Sequence, residues 1–297
     1  MDLLVRRRPH QPRGPASLVA SAGCVLALAL SGCSAPRVTA GPLPTPRDGA
    51  PAGLTTGPRS SRPGFGLMQM NLCLSGLAGC FGKVAYPAVL DEATTRIRES
   101  EPDAVTFNEA CRGDAAEIAR RTGYRMRFSR VYYNNAPLPC IDPGGRGLFG
   151  DAVLTKATIV GSESQDFHAQ AGNETRRWLC VTTSTGLDVC TTHLSTRENG
   201  AAAGANDAQC AELLSLLAQR ATAHTVAFGG DLNRPGSCAP QGMWTRTDSS
   251  AHQAPGRQQV YGTTATLSSP KEEVLPARHT DHDVLVVHAR APASSGP

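Results

Sequence analysis

Residues 225–233 read TVAFGGDLN: a short apolar run, Val226 to Phe228, then two glycines, then Asp231 and Asn233. Such a run predicts a buried strand whose end hands two polar side chains to solvent. The same grammar recurs outward along the chain. Asn71 ends an apolar run in MQMN, Glu109 follows one in PDAVTFNEA, His193 ends one in CTTHLS, and Asp281 and His282 precede one in HTDHDVLVV. A polar residue at a strand end is held by the scaffold and reached by solvent, the placement that catalysis needs. Each motif alone is weak, because a lone His or Glu in a loop is more often a solvated surface residue.

Strands are expected at 66–72, 104–107, 125–133, 151–154, 159–167, 176–183, 187–194, 226–228 and 284–288, and helices at 84–99, 114–122 and 207–223. Strands outnumber helices and several follow one another as hairpins, so a mixed α/β sandwich fits better than a doubly wound parallel sheet. No internal repeat is visible. A long loop after residue 133 holds Asn134, Asn135, Pro137, Pro139, Pro143 and three glycines.

Taken in order, Asn, Glu, His, Asp-x-Asn and Asp-His, each beside an expected strand end, resemble the endonuclease/exonuclease/phosphatase superfamily over about residues 64–290. GGDLN and TDH resemble its GDxN and SDH signatures. FNEA stands where a Gln-Glu pair is usual, and RGLFGDAVLTK resembles a further strand with Asp151 where Asn is common. The resemblance implies a DNase I-like four-layer α/β sandwich, two packed mixed β-sheets flanked by helices. It also implies phosphoester hydrolysis. A phosphodiester is anionic and resists nucleophiles, so catalysis rests on neutralising developing charge and positioning water in line. Oxygen ligands from Asn71 and Glu109 suit Mg²⁺, with Mn²⁺ or Ca²⁺ as alternatives. By analogy, Asp231 would orient or deprotonate the water and Asn233 would donate to the phosphate. His193 and His282 would bind phosphoryl oxygens and exchange protons, with Asp281 supporting metal or imidazole. Many members also carry an aspartate two to three dozen residues before the final His that orients its ring. The segment RQQVYGTTATL, residues 257–267, has none, which leaves His282 without an assigned partner.

At 297 residues and 40% hydrophobic content the chain can bury one core. Lys and Arg total 29 against 25 acidic residues, but without Asp2, Arg6, Arg7, Arg8 and Arg13 the balance is 25 against 24. The global field therefore neither supports nor excludes a nucleic-acid substrate. The arginines precede an apolar run, Leu18 to Leu30, and then Leu-Ser-Gly-Cys33, which resembles a bacterial lipobox. Residues 1–33 are expected to direct export, Cys33 to carry lipid on the extracellular face of the membrane, 34–63 to be a Pro/Gly-rich tether, 64–290 to be the catalytic domain and 291–297 a disordered tail. An ordinary cleaved signal would still secrete the protein.

Eight cysteines lie beyond Cys33, and in an exported chain an even number favours disulfides. Cys180 and Cys190 lie symmetrically about Ser184-Thr185-Gly186 and should face each other across a hairpin. Proximity in sequence suggests Cys73 with Cys80, Cys111 with Cys140 and Cys210 with Cys238. Arg112-Gly113-Asp114 spells an adhesion tripeptide but more readily begins a helix.

A nuclease acting outside the cell leads the functional readings, with Arg176, Arg177 and Tyr133 as candidate substrate contacts. His193 in THLS speaks against the abasic-site branch, and inositol-polyphosphate phosphatase signatures are absent. A phosphatase or a lipid, sphingomyelinase-like phosphodiesterase is the second enzyme reading, its lipid version weakened because the only tryptophans, Trp178 and Trp244, are far apart. A binding protein on a dead scaffold is weakened by the retained polar set. No protein partner is implied.

Overall fold

The computed structural model describes residues 64–291; the expected export signal, Cys33, the expected tether and residues 292–297 lie outside the described residues. The first half of the domain runs β1 (Gly64–Asn71), α1 (Ala88–Ser100), β2 (Ala104–Cys111), α2 (Arg112–Thr122), β3 (Arg125–Arg130), β4 (Tyr132–Tyr133), β5 (Ala136–Pro137) and β6 (Phe149–Thr155). Then come β7 (Ile159–Asp166), β8 (Glu174–Thr175), β9 (Arg177–Thr183), β10 (Leu187–Thr192), α3 (Gly200–Ala221) and β11 (Thr225–Asp231). The chain closes with β12 (Met243–Thr247), β13 (Gln258–Thr263), β14 (Ser268–Leu275) and β15 (Val284–Arg290).

Two six-stranded sheets form, ordered β14-β15-β1-β2-β6-β3 and β12-β13-β11-β10-β9-β7. Each has a parallel pair at its centre, β1 with β2 and β10 with β11, and antiparallel pairs elsewhere. Parallel neighbours need a crossover. In the first sheet α1 supplies it and in the second α3 does, so one topology occurs twice without any repeat in sequence. A small third sheet, β5-β4-β8, sits at the edge.

Period-two alternation decides the layers. Along β1, Leu67 faces the second sheet and packs with Val153, Val181, Val189, Val260 and Val287, while Met68 and Met70 face α1 and α2. Ile97 of α1 and Ile118 of α2 complete that outer layer. On the other side Trp178, Phe228 and Tyr261 pack under Leu213 and Leu217 of α3. The result is the expected helix, sheet, sheet, helix sandwich, and each aliphatic side chain so buried contributes about 1.5–3 kcal/mol. Toward one end the apolar filling gives way to Gln69, Thr106, Asn108, Asp151, Thr191 and Gln258, all buried. The two glycines before Asp231 belong here. A Cβ on Gly229 would collide with Thr106 Oγ1 of the opposite sheet, and one on Gly230 with the Thr192 carbonyl. Gly229 is thus a requirement of the contact between the sheets, and Gly230 of the contact between β11 and β10.

All four expected disulfides are present: Cys73–Cys80, Cys111–Cys140, Cys180–Cys190 and Cys210–Cys238. Cys180 and Cys190 are direct cross-strand partners in β9 and β10. The Arg-Gly-Asp tripeptide does begin a helix, α2. Two differences have physical causes. Helix α3 starts at Gly200, seven positions before the expected 207, because the Asn199 side chain caps it, accepting the Ala202 N–H at 2.9 Å. Its alanine-rich first turns carry helix propensity without an amphipathic stripe. Strands β12 to β14 are not among the expected elements: MWTRT is partly exposed and SSPKEEVL mostly exposed along their length, and buried QQVYGT carries only Val260 and Tyr261 as large apolar residues.

Candidate active site

The parallel pairs end at the polar end of the sandwich, and there the strand-end residues meet. A cleft of about 590 Å³ is lined by Glu109, His193, Asp231, Asn233, Asp281 and His282, with Arg176, Arg257, Glu174, Glu198 and Tyr133 around them. Asn71, fully buried at the end of β1, joins the two halves: its Nδ2 donates to Glu109 Oε1 at 2.9 Å and to Asp231 Oδ2 at 3.0 Å. Glu109 reaches this position through a β-bulge in β2 between Phe107 and Ala110, with its own φ at 54°. Strain of that kind at a strand end is a mark of functional placement.

Asp231 is 1% exposed and almost fully engaged. Its Oδ1 accepts the Asn233 N–H at 2.9 Å, and its own N–H donates to Asn108 Oδ1 at 2.7 Å. Burial alone would raise its pKa, but the neighbouring His282 imidazolium and the Asn71 hydrogen bond hold it well below the usual carboxylate range.

The histidines are held in opposite states. His282 sits between two carboxylates, Nδ1 at 3.0 Å from Asp281 Oδ1 and Nε2 at 3.2 Å from Asp231 Oδ2. Burial opposes its charge, yet Asp231 and Asp281 outweigh it and raise the pKa to about 10. Its ring is thus oriented by the adjacent residue, with no aspartate from the RQQVYGTTATL segment; Gln258 there binds the Asp283 carbonyl instead. The Nε2–H does not point along the line to Asp231, so this buried atom has no hydrogen-bond acceptor among the described residues. His193, by contrast, is pushed down to about 3 by burial and the Arg176 guanidinium. Asn233 Nδ2 lies 2.9 Å from His193 Nε2 and donates to the Leu194 carbonyl at 3.0 Å. Both amide hydrogens are engaged inside the protein, where Asn233 orients His193. With Nε2 accepting, the proton of His193 sits on Nδ1, which faces Glu109 Oε1 at 3.7 Å.

The donor set fits a hard cation. Burial pushes Glu109 up to about 7, against the Asn71 hydrogen bond. Its Oε2 faces only the Cys80 sulfur at 3.6 Å, which as half of a cystine has no hydrogen to give. An orphaned carboxylate oxygen in a cleft with two further aspartates is a cation ligand in waiting. Asn71 contributes differently from expectation: its Oδ1 accepts the Cys73 N–H at 3.1 Å, and its nitrogen faces the carboxylates. Cys73, Cys80 and Asp281 also cluster, but the sulfurs are spent in the disulfide.

Of the outer candidates, Arg176 and Tyr133 line the cleft. Arg177 does not: it pairs with Asp166 at 2.7 Å and lies over the Tyr132 ring, in a separate surface hollow. Asn108 and Asp151, which in the sequence stand out only as departures from a pattern, touch each other, Asn108 Nδ2 donating to Asp151 Oδ1 at 2.8 Å. Sequence reading misses Arg257 and Glu198, since neither stands at an expected strand end.

Comparison with known proteins agrees with this arrangement. The sequence matches the Endonuclease/Exonuclease/phosphatase family over residues 79–282. No curated protein sequence matches it. Among solved structures it is similar to an endonuclease/exonuclease/phosphatase from Beutenbergia cavernae, at 19% identity and TM-score 0.57 over 77% of this chain and 72% of that one. The human Nocturnin catalytic domain with bound sulfate is similar at 16% identity and TM-score 0.59, over 76% and 93%. D. rerio TDP2 complexed with single strand DNA product is similar at 14% and 0.52, over 76% and 98%. At these identities the structural likeness speaks for the fold alone. With the family match spanning more than half its length, the chain belongs to the endonuclease/exonuclease/phosphatase family of phosphoric ester hydrolases.

Proposed function

We propose that this chain is an exported, divalent-metal-dependent phosphodiesterase whose active site is the cleft around Asp231. The observation that carries the reading is His282: a buried imidazolium held charged by two carboxylates, whose Nε2 lies 3.2 Å from Asp231 Oδ2 but poorly aligned with it for a hydrogen bond. A phosphoryl oxygen is an acceptor of the right charge. Asp231, ionised across the working pH range, would orient the attacking water and take up its proton. His282 would neutralise charge on the phosphoryl group and protonate the leaving oxygen. Neutral His193, fixed by Asn233, would hydrogen-bond rather than carry charge. Mg²⁺ held by Glu109 and supported by Asp281 would supply positive charge at the phosphate when bound.

Nucleic acid is the leading diester from sequence, and the single-stranded DNA product in the TDP2 complex accords with it. A lipid headgroup is the second reading, favoured by the sparse positive charge around the cleft, where Arg176 and Arg257 stand among Glu174, Glu198 and Asp281. Export and lipidation at Cys33 rest on the sequence. Hydrolysis of bis(p-nitrophenyl) phosphate with Mg²⁺ or Mn²⁺, and its loss in EDTA, tests the reaction independently of the natural substrate. Full activity in excess EDTA would contradict it.

A further inference from the structure

Among the described residues five large hydrophobic side chains are exposed, and three stand around the cleft mouth: Leu77 at 55%, Ile141 at 47% and Tyr133 at 43%. Single exposed apolar residues, such as Val160 on β7 and Leu214 on α3, are ordinary. Three on neighbouring loops are not. Leu77 and Tyr133 line the cleft itself. Ile141 lies outside it on the adjoining loop, its N–H donating to the Ser75 carbonyl at 3.0 Å.

The same two loops are almost free of charge. Residues 70–82 contain no charged side chain, and residues 131–145 contain only Asp142. Exposed beside the three large side chains are Ala78, Ala136, Pro137, Pro139 and Pro143. The loops are also held stiff. Cys73–Cys80 closes one, and Cys111–Cys140 ties the other to β2. Arg146 pins both, donating to the Leu74 carbonyl at 2.7 Å and to the Pro143 carbonyl at 2.8 Å. Apolar side chains are thus held out in water by a rigid frame, the arrangement of an interaction surface.

The charges around the cleft narrow the partner. Arg176 is tied to Glu174 at 3.1 Å, Arg257 is the other guanidinium, and Glu198 and Asp281 add negative charge. A polynucleotide binds chiefly through rows of cations that displace counterions; the two loops contribute none, and the arginines beside them, Arg130 and Arg177, lie over the Tyr132 ring, Arg177 paired with Asp166 at 2.7 Å. Two nearly uncharged, apolar loops beside a polar cleft match a zwitterionic lipid surface, where side chains enter the interface and headgroups present phosphodiesters.

On the phosphodiesterase reading of the cleft, we infer that the two cystine-held loops carrying Leu77, Tyr133 and Ile141 form a docking surface for a zwitterionic lipid membrane, turning the cleft toward the headgroups. No helix among the described residues is long and apolar enough to cross a membrane, so the contact is peripheral. The chain length permits it. β1 sets Gly64 about 25 Å from the cleft end of the strand, and thirty residues separate Cys33 from Gly64. At up to about 3.5 Å per residue they more than cover that distance from an anchored Cys33.

The test uses the full-length Cys33→Ser chain, which removes the expected acyl chain, with vesicles of phosphatidylcholine and sphingomyelin. It should co-sediment with them, and Ile141→Ser and Ile141→Asp should each weaken partition about tenfold or more. Both variants should hydrolyse soluble bis(p-nitrophenyl) phosphate within about twofold of the parent, since Ile141 lies outside the cleft. Failure of the parent to bind vesicles would overturn the inference, as would binding indifferent to both Ile141→Asp and Leu77→Asp. Weaker binding of a single-stranded oligonucleotide by these variants, with vesicle binding unchanged, would reassign the rim to nucleic acid. Vesicle binding without any diester hydrolysis would sink the phosphodiesterase reading and leave the docking surface standing.

Discussion

The two halves of the sandwich share a topology and divide the chemistry. The β1-α1-β2 half delivers Asn71 and Glu109 to the cleft, and His282 precedes β15 of the same sheet; the β10-α3-β11 half delivers His193, Asp231 and Asn233. They differ in the segments that leave the strand ends. In the second half the residues after β10 are locked by core contacts: Asn206 of α3 donates to the Ser195 and Leu232 carbonyls at 2.6 and 2.8 Å. In the first half the long loops that follow β1 and β4 are held by disulfides and Arg146. Packing fixes the catalytic floor, while local staples fix its rim.

That contrast breaks most readily at Arg146. Its guanidinium is buried, pairs with Asp114 at 2.7 Å and lies over the Tyr86 ring. Removing one partner of a buried ion pair leaves the other charge uncompensated, so Arg146→Ala should destabilise by about 3–5 kcal/mol in chemical denaturation. A loss under about 1 kcal/mol, the size of an ordinary surface change, would mean the rim does not depend on it. Replacing Cys111 and Cys140 together by alanine should cost about 2–4 kcal/mol, with the loop around Pro139 becoming the first protease-sensitive segment.

Asn108 sharpens the comparison because it links the halves, its Oδ1 on the Asp231 N–H and its Nδ2 on Asp151. Asn108→Ala strands both partners and should cost about 1–3 kcal/mol, together with a fall in turnover at little change in KM. Asn199→Ala, which removes only the α3 cap, should cost about 1 kcal/mol and leave turnover unchanged.

A pH effect separates the histidines. His282 has a folded pKa of about 10, above its unfolded value near 6.5. Its contribution to stability is therefore fully present below about 6.5 and lost as pH rises toward 10. In EDTA the melting temperature should fall as pH rises from about 7.5 to about 10, and His282→Gln should flatten that fall. An unchanged slope in the variant would remove His282 as its source.

Much of the fold is legible because strand ends with polar residues survive in a single sequence: Asn71, Glu109, His193 and Asp231 each follow an apolar run. The cystine pairs are legible for the same local reason. The hidden part depends on distance in space. Arg146 looks like a loop residue until Asp114 and Leu74 close around it. Arg177 looks like a neighbour of Arg176, but alternation along the chain sends the two to different surfaces. The apolar rim escapes a search for tryptophan, since Trp178 is buried and the exposed residues are Leu77, Tyr133 and Ile141.

The central claim is that Asp231 unites the two halves into one hydrolytic site. Asp231→Asn keeps shape but removes the charge that orients water and holds His282 protonated. Steady-state hydrolysis of bis(p-nitrophenyl) phosphate in saturating Mg²⁺, with thermal melting of the same sample, tests it directly. A fall in kcat of roughly 10²–10⁴-fold in a protein that still melts cooperatively is the expected result. A folded Asp231→Asn protein with turnover near that of the parent would contradict it.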